Sequence, residues 1–186
     1  MRIIAGIAKG MVLAVPRGAD TRPTSDRVRE AIFSSLGARV VDADVLDLYA
    51  GTGALGLEAA SRGARSVVLV ERARQALECI ATNLAGFRKQ RGELPVIEVQ
   101  RGEVGRVMGR LGRQFNLVFA DPPYAEDPAP LLAGLVAHAV LAPAGWLVLE
   151  TGRRSAFRLG ELWQIEREAV YGDTVVRFLR VLRQGG

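Results

Sequence analysis

Val45-Leu-Asp47-Leu-Tyr49-Ala-Gly51-Thr-Gly53-Ala-Leu-Gly56 passes from an apolar run through a glycine turn into a segment of helix formers. The reading is a strand over Val45–Tyr49, then a helix over Ala54–Arg62. Outward from it the same unit recurs: Ser66–Glu71 before Ala73–Lys89, Val96–Gln100 before Val104–Leu111, Phe115–Ala120 before Pro130–Val140, and then Gly145–Glu150. Strands this continuously apolar are expected to be buried on both faces, which means a parallel sheet with crossover helices. Leu162–Tyr171 and Thr174–Leu182 flank Gly172-Asp173, the chemistry of a tight turn, and predict an antiparallel pair at the end.

Upstream, residues 2–15 predict two short β segments around a glycine-punctuated turn, ended by Pro16-Arg17-Gly18. Beyond Arg22-Pro23, one of Thr24, Ser25 or Asp26 can cap a helix whose face is Val28, Ala31, Ile32 and Leu36, closed by Gly37. The expected fold class is α/β, a doubly wound, mostly parallel sheet with a C-terminal antiparallel hairpin. It forms a single domain over residues 1–186, in which residues 1–40 are an N-terminal β-hairpin and helix extension.

A chain of 186 residues with 49% apolar and 24% charged residues has ordinary globular composition. The lone Cys79 cannot form an internal disulfide and has no ligand-like neighbours. No apolar run approaches a membrane span and no cleavable signal is visible, so the expectation is a soluble, cytoplasmic protein. A monomer is expected, although no residue pattern decides the oligomeric state. The formal charge of +5 is uneven: residues 1–40 hold seven Lys or Arg against three acids, the remainder eighteen against seventeen. A local basic surface attracts polyanions, although a solubilising face has the same composition.

The glycines of Gly51-x-Gly53-x-x-Gly56 let the backbone turn tightly and approach a ligand, while the following helix offers free N–H groups. Such a loop suits a nucleotide-like cofactor. It also satisfies a dinucleotide fingerprint, with Glu71 twenty residues beyond Gly51 to accept from a ribose diol, so a nicotinamide enzyme stays open at this point. Glu103, just past the third strand, can accept from an adenine amino group or act as a helix N-cap or first-turn acid.

Asp121-Pro122-Pro123-Tyr124 directly follows the fourth strand. The lone pair of an exocyclic base amine is delocalised into its ring, so the amine attacks a sulfonium methyl poorly. The Asp121 carboxylate and Pro122 carbonyl can accept its two N–H bonds and aim the nitrogen. Two prolines stiffen the loop, and Tyr124 can stack on the base for about 1–3 kcal/mol. This chemistry needs no metal or covalent nucleophile, and neither constellation is visible. His138 falls on an apolar helix, where packing is expected.

Arg22-Pro-Thr-Ser-Asp-Arg-Val-Arg-Glu-Ala-Ile-Phe33, Leu46-Asp-Leu-Tyr-Ala-Gly-Thr-Gly-Ala-Leu-Gly-Leu-Glu-Ala59 and Asp121-Pro-Pro-Tyr124 together resemble the bacterial 16S ribosomal RNA guanine-N2 methyltransferase family, nearly end to end. The glycine loop and Asp-Pro-Pro-Tyr are shared by many amino methyltransferases; the Arg-Pro-Thr stretch narrows the choice. The resemblance implies a Rossmann-like methyltransferase fold, S-adenosylmethionine as cofactor, and 16S ribosomal RNA or a small-subunit assembly intermediate as partner. It implies that Asp47, Gly51 and Gly53 surround the methionine end and that Glu71 holds the ribose. With their neighbours, the expected cofactor set is Asp47, Tyr49, Gly51, Thr52, Gly53, Glu71, Arg72, Glu103 and Val104. Asp121, Pro122, Pro123 and Tyr124 are the expected catalytic residues. Arg2, Lys9, Arg17, Arg22, Thr24 and Arg27 are the expected RNA contacts.

Three rivals are an amino methyltransferase acting on adenine or a protein amide, a silent RNA-binding module, and a nicotinamide dehydrogenase. The second makes Asp-Pro-Pro-Tyr superfluous, and the third explains only the loop and Glu71. Whether S-adenosylhomocysteine or NAD raises the melting temperature separates cofactor classes.

Overall fold

The apolar run around Leu46 enters strand β1 (Asp44–Leu48), where Val45, Leu46 and Leu48 are fully buried. In the computed structural model, which describes residues 1–16, 26–90, 92–123, 125–155 and 158–182, β1 leads through the glycine turn into α2 (Ala54–Ser61). An earlier helix, α1 (Asp26–Leu36), ends in a 3₁₀ turn at Gly37–Val40 that the sequence pattern had not predicted. After α2 come β2 (Ser66–Glu71), α3 (Arg74–Phe87), β3 (Val96–Arg101), α4 (Val104–Met108), β4 (Phe115–Ala120) and α5 (Ala129–Ala137). Strands β5 (Leu141–Gly152), β6 (Trp163–Tyr171) and β7 (Thr174–Val181) complete the order.

Among the described residues, seven strands form one sheet in the order β3-β2-β1-β4-β5-β7-β6. The first five are parallel, while β7 inserts antiparallel between β5 and β6. Its turn with β6 uses Gly172 at φ +60°. Helices α1, α2 and α3 cover one face with a core that includes Phe33, Leu57, Leu69, Phe87 and Phe119. Helices α4 and α5 cover the other with Leu46, Val68, Phe115, Leu135 and Leu147. Each fully buried Leu or Phe contributes roughly 1.5–3 kcal/mol.

Two sequence expectations need correction. Strand β3 is largely exposed, not buried on both faces, because it is the sheet edge and its Glu98 and Gln100 alternate with apolar residues. The N-terminal segment is a looser hairpin than expected, with one antiparallel bridge, Arg2 to Val12. Its amides are used elsewhere: Ile4 and Ala5 donate to the Glu58 carboxylate at 2.7 and 3.1 Å, Ile7 to Ser61 O and Ala8 to Ser61 Oγ, both at 2.9 Å. Donors committed to α2 cannot build a cross-strand ladder. Gly6 makes this contact possible, since a Cβ there would stand 1.7 Å from Ser61 O.

The chain works outward from β1 to β3 and then returns to place β4 on the other side of β1. A crevice opens at such a switch point, outside the carboxyl ends of the strands. Leu48 is in register with both Val70 and Ala120, and Val70 with Gln100. The residues that follow, Tyr49, Glu71, Arg101 and Asp121, therefore emerge at one level along the crevice.

Candidate active site

The β1 turn needs left-handed backbone at three of five consecutive positions: Tyr49 at φ +61°, Gly51 at +57° and Gly53 at +79°. Glycine bears this without strain, whereas Tyr49 is held there by the half-buried packing of its ring. Gly53 is the N-cap of α2, and no side chain caps the helix start. Gly56 serves packing, because a Cβ there would lie 2.3 Å from a Leu69 methyl.

Asp47 is buried and accepts the Gly56 N–H at 2.8 Å through Oδ2. Burial, and then the negative charges of Asp121 and Glu71, push its carboxyl up to about 7 against the Gly56 hydrogen bond. Burial likewise pushes Asp121 up to about 6. Pro122 is buried, Pro123 is exposed, and the Pro123 carbonyl accepts the Glu126 N–H at 2.8 Å. Tyr124 lies outside the described residues.

Glu71 Oε2 accepts from Gly51 N at 2.8 Å, and its Oε1 accepts from Arg72 N and Ala73 N, both at 2.7 Å. The carboxylate thus ties the glycine turn to the start of α3. Glu103 occupies the N-cap position of α4, yet its side chain makes no capping bond. It pairs instead with Arg72 at 2.9 Å, both side chains more than half exposed. Val104 is buried as the first residue of α4. Thr52 O accepts from Asn83 Nδ2 at 2.9 Å, and Thr52 Oγ1 lies 3.7 Å from Met1 Sδ.

The expected RNA contacts Arg2, Lys9 and Arg27 are exposed, while Arg17, Arg22 and Thr24 lie outside the described residues. Four other residues, Asn83, Glu126, Arg29 and Glu58, were missed by the sequence reading. Asn83, buried on α3, also holds Ala14 N at 2.7 Å and so bridges the N-terminal segment to the glycine turn. Glu126 is near enough to act electrostatically on Tyr49 and Arg72. Arg29 is fully buried, hydrogen-bonded to Arg2 O and to Asp26 and 3.7 Å from the buried Glu58. One signal was available for Arg29: it shares the i, i+4, i+7 stripe of Phe33 and Leu36. His138, expected to pack, is instead exposed at the end of α5.

Two carboxylates, Asp121 and Glu71, act on the buried Asp47 at this crevice. The pyrophosphate of a dinucleotide would sit at the helix N-terminus beside them and be repelled, while a sulfonium with an ammonium group would be attracted. Among the described residues no cluster suited to a metal ion occurs.

Residues 1–180 match the family model described as Conserved hypothetical protein 95. The chain is 34% identical to ribosomal RNA small subunit methyltransferase D of Escherichia coli K12, over 100% of this chain and 92% of that one. The solved YhhF protein of Escherichia coli superposes with a TM-score of 0.85 at 33% identity, covering 97% of both chains. At 16% identity and a TM-score of 0.62, the fold is also shared with the protein SMU.776, solved in complex with S-adenosylhomocysteine, over 83% of this chain and 48% of that one. The chain belongs to the family of Conserved hypothetical protein 95 and of ribosomal RNA small subunit methyltransferase D.

Proposed function

We propose that this protein transfers the methyl group of S-adenosylmethionine to the exocyclic N2 amine of a guanine in 16S ribosomal RNA. The observation that carries the reading is the pairing of β1 with β4, which sets the glycine turn and the Asp121-Pro122-Pro123 loop on adjacent strand ends at the switch point. The donor set fits the cofactor: an open glycine turn at a helix start and buried carboxylates whose raised pKa values a cationic ligand would relieve. Asp47, Gly51 and Gly53 would hold the methionine end. Glu71 would reach the ribose with the Oε2 lone pair left after its bond to Gly51, and Glu103 the adenine.

When bound, the cofactor supplies an electrophilic methyl on a sulfonium. Asp121 and the Pro122 carbonyl accept the two N–H bonds of the guanine amine, turn its lone pair towards the methyl and stabilise the positive charge that grows on nitrogen. Asp121, whose carboxyl burial pushes up to about 6, would receive the proton that the amine gives up on gaining its methyl group. The N-terminal segment, with Arg2, Lys9, Arg17, Arg22, Thr24 and Arg27, faces the RNA. Such a substrate places the protein in the cytoplasm, with ribosomal RNA or a small-subunit assembly intermediate as its partner. No described helix is long and apolar enough to cross a membrane.

The test offers cofactor carrying a labelled methyl to unmodified small-subunit RNA, assembling small subunits, DNA and bulk protein in parallel. Label is expected in the ribosomal RNA, and label confined to DNA or protein would overturn the reading.

A further inference from the structure

The basic excess of the first 40 residues is smaller at the surface than in the sequence, because Arg29 is wholly buried near Glu58. A second concentration of arginine stands at the opposite edge of the cofactor crevice. Edge strand β3 and helix α4 enclose a groove of about 420 Å³ whose walls carry Arg72, Arg101, Arg106, Arg110 and Arg113. Two carboxylates share it: Glu103 pairs with Arg72 at 2.9 Å and Glu98 with Arg113 at 3.2 Å. Both acids are thereby engaged, and Arg101, Arg106 and Arg110 keep no acidic partner among the described residues.

The groove follows from unequal helix lengths. Helix α3 has 14 residues to cover its face of the sheet, whereas α4 has 5 and buries only Val104, Val107 and Met108. On the α4 side β3 presents Glu98 and Gln100, in register with Val68 and Val70, so the floor at the edge is polar and uncovered. Arg106 lies on α4 and Arg110 just past its end, and both line the groove wall, where an anion along the groove would offset the like charges gathered there.

We propose that this groove grips the phosphate backbone of the RNA substrate, an assignment that rests on the ribosomal RNA reading above. Guanidinium groups form paired hydrogen bonds to phosphate oxygens and retain their charge at any physiological pH. The groove opens at Arg101, level with Glu71 on the neighbouring strand. Three strand spacings, about 14 Å, separate β3 from β4 and its Asp121, a distance that a few nucleotides of an RNA strand can span. The N-terminal segment packs Ile3, Ala8 and Leu13 into the core on the α1–α3 side, so it flanks the crevice from the face opposite the groove. RNA presenting one base to Asp121 is then held on both sides.

The test combines Arg101→Gln, Arg106→Gln and Arg110→Gln and measures RNA affinity across salt concentrations, S-adenosylhomocysteine affinity and melting temperature. Each phosphate that is no longer neutralised takes roughly 0.7 off the slope of log affinity against log salt on single strands. The slope is expected to become shallower by about 2, with RNA affinity down at least about tenfold and cofactor affinity within about twofold. Glu98→Gln, which frees Arg113, is expected to tighten RNA binding, and it decides the matter alone should the triple variant not fold. An unchanged slope in the folded triple variant, or unchanged RNA affinity in Glu98→Gln if only that variant folds, would make the groove a solvated face and overturn the proposal while leaving the substrate reading intact. Failure of the unaltered protein to bind any ribosomal RNA would overturn that reading, and the groove with it.

Discussion

Glu71 and Gly51 stand twenty residues apart in the chain and are joined by a 2.8 Å hydrogen bond from the Gly51 amide to Glu71 Oε2. The same carboxylate holds the amides of Arg72 and Ala73, so one side chain orders both the glycine turn and the start of α3. Glu71→Ala leaves three amides without this acceptor; those of Arg72 and Ala73 are exposed and turn to water, while the part-buried Gly51 amide, left unpaired, costs up to about 1–3 kcal/mol. The variant is expected to melt lower and to bind S-adenosylhomocysteine at least about tenfold more weakly by calorimetry. Native affinity in the folded variant would remove Glu71 from the cofactor site.

Gly53 sits at φ +79°, and a Cβ there would be 3.3 Å from a Leu69 methyl. Gly53→Val places a β-branched residue in left-handed backbone, at about 1–2 kcal/mol for the conformation alone, and drives its side chain into Leu69, Ile80 and Leu57 beneath the turn, which displaces the turn from its ligand-binding conformation. Loss of cofactor binding is expected in a protein that still folds. Gly56→Ala is the structural contrast, because its Cβ would press into Leu69 and Val67 and destabilise the chain by about 1–3 kcal/mol.

Asp121→Ala is expected to lower the methylation rate about 10²–10³-fold, as removal of one preorganised electrostatic partner does, while cofactor affinity stays within a few fold. Single-turnover rates with saturating cofactor measure this. Near-normal turnover would exclude Asp121 from the mechanism.

Asp47 and Asp121 have carboxyls pushed up to about 7 and about 6 in the folded chain, above the ordinary Asp value of 3.8. Each binds its proton more tightly folded than unfolded. Their contribution to stability is therefore complete below about pH 4 and is lost as pH rises through about 6 and then about 7. The cofactor-free protein is expected to lose melting temperature over that window, and Asp47→Asn to lose less, since an amide oxygen can still accept from Gly56. A cationic cofactor favours the ionised carboxylates, so its affinity is expected to rise with pH over the same range. Affinity that falls as pH passes about 7 would contradict this assignment.

The buried Glu58 pins the N-terminal segment to α2 through Ile4 and Ala5 and lies beside Arg29. Removing one partner of a buried ion pair typically costs about 3–5 kcal/mol. Glu58→Ala is expected to show that loss, with hydrogen exchange at Ile4 and Ala5 accelerated more than in β1. Exchange unchanged at those amides would mean that the segment is held by its apolar contacts alone.

Strands β1, β2 and β4 were legible in the sequence to within a residue because both their faces are covered, so that apolar content alone marks them. Strand β3 was placed correctly in the chain but misjudged in burial, since edge position depends on strand order, which local composition does not encode. The glycine turn and Asp121-Pro122-Pro123 could be found because their backbone demands restrict residue type. Asn83 and Glu58 were invisible as site-shaping residues: both look like ordinary helical polar residues, and their partners Ala14, Ile4 and Ala5 lie more than 50 residues away. Arg29 read as surface charge because an acidic partner at Glu58 exists only after α1 and α2 have packed.

Transfer to the guanine amine is tested most directly by the chemical identity of the product. Unmodified small-subunit ribosomal RNA incubated with the protein and S-adenosylmethionine is digested to nucleosides and resolved by mass spectrometry against standards. The account predicts a single new nucleoside, N2-methylguanosine, absent when Asp121→Ala replaces the unaltered protein. N6-methyladenosine, or a methyl group on any ring position or ribose, would contradict it.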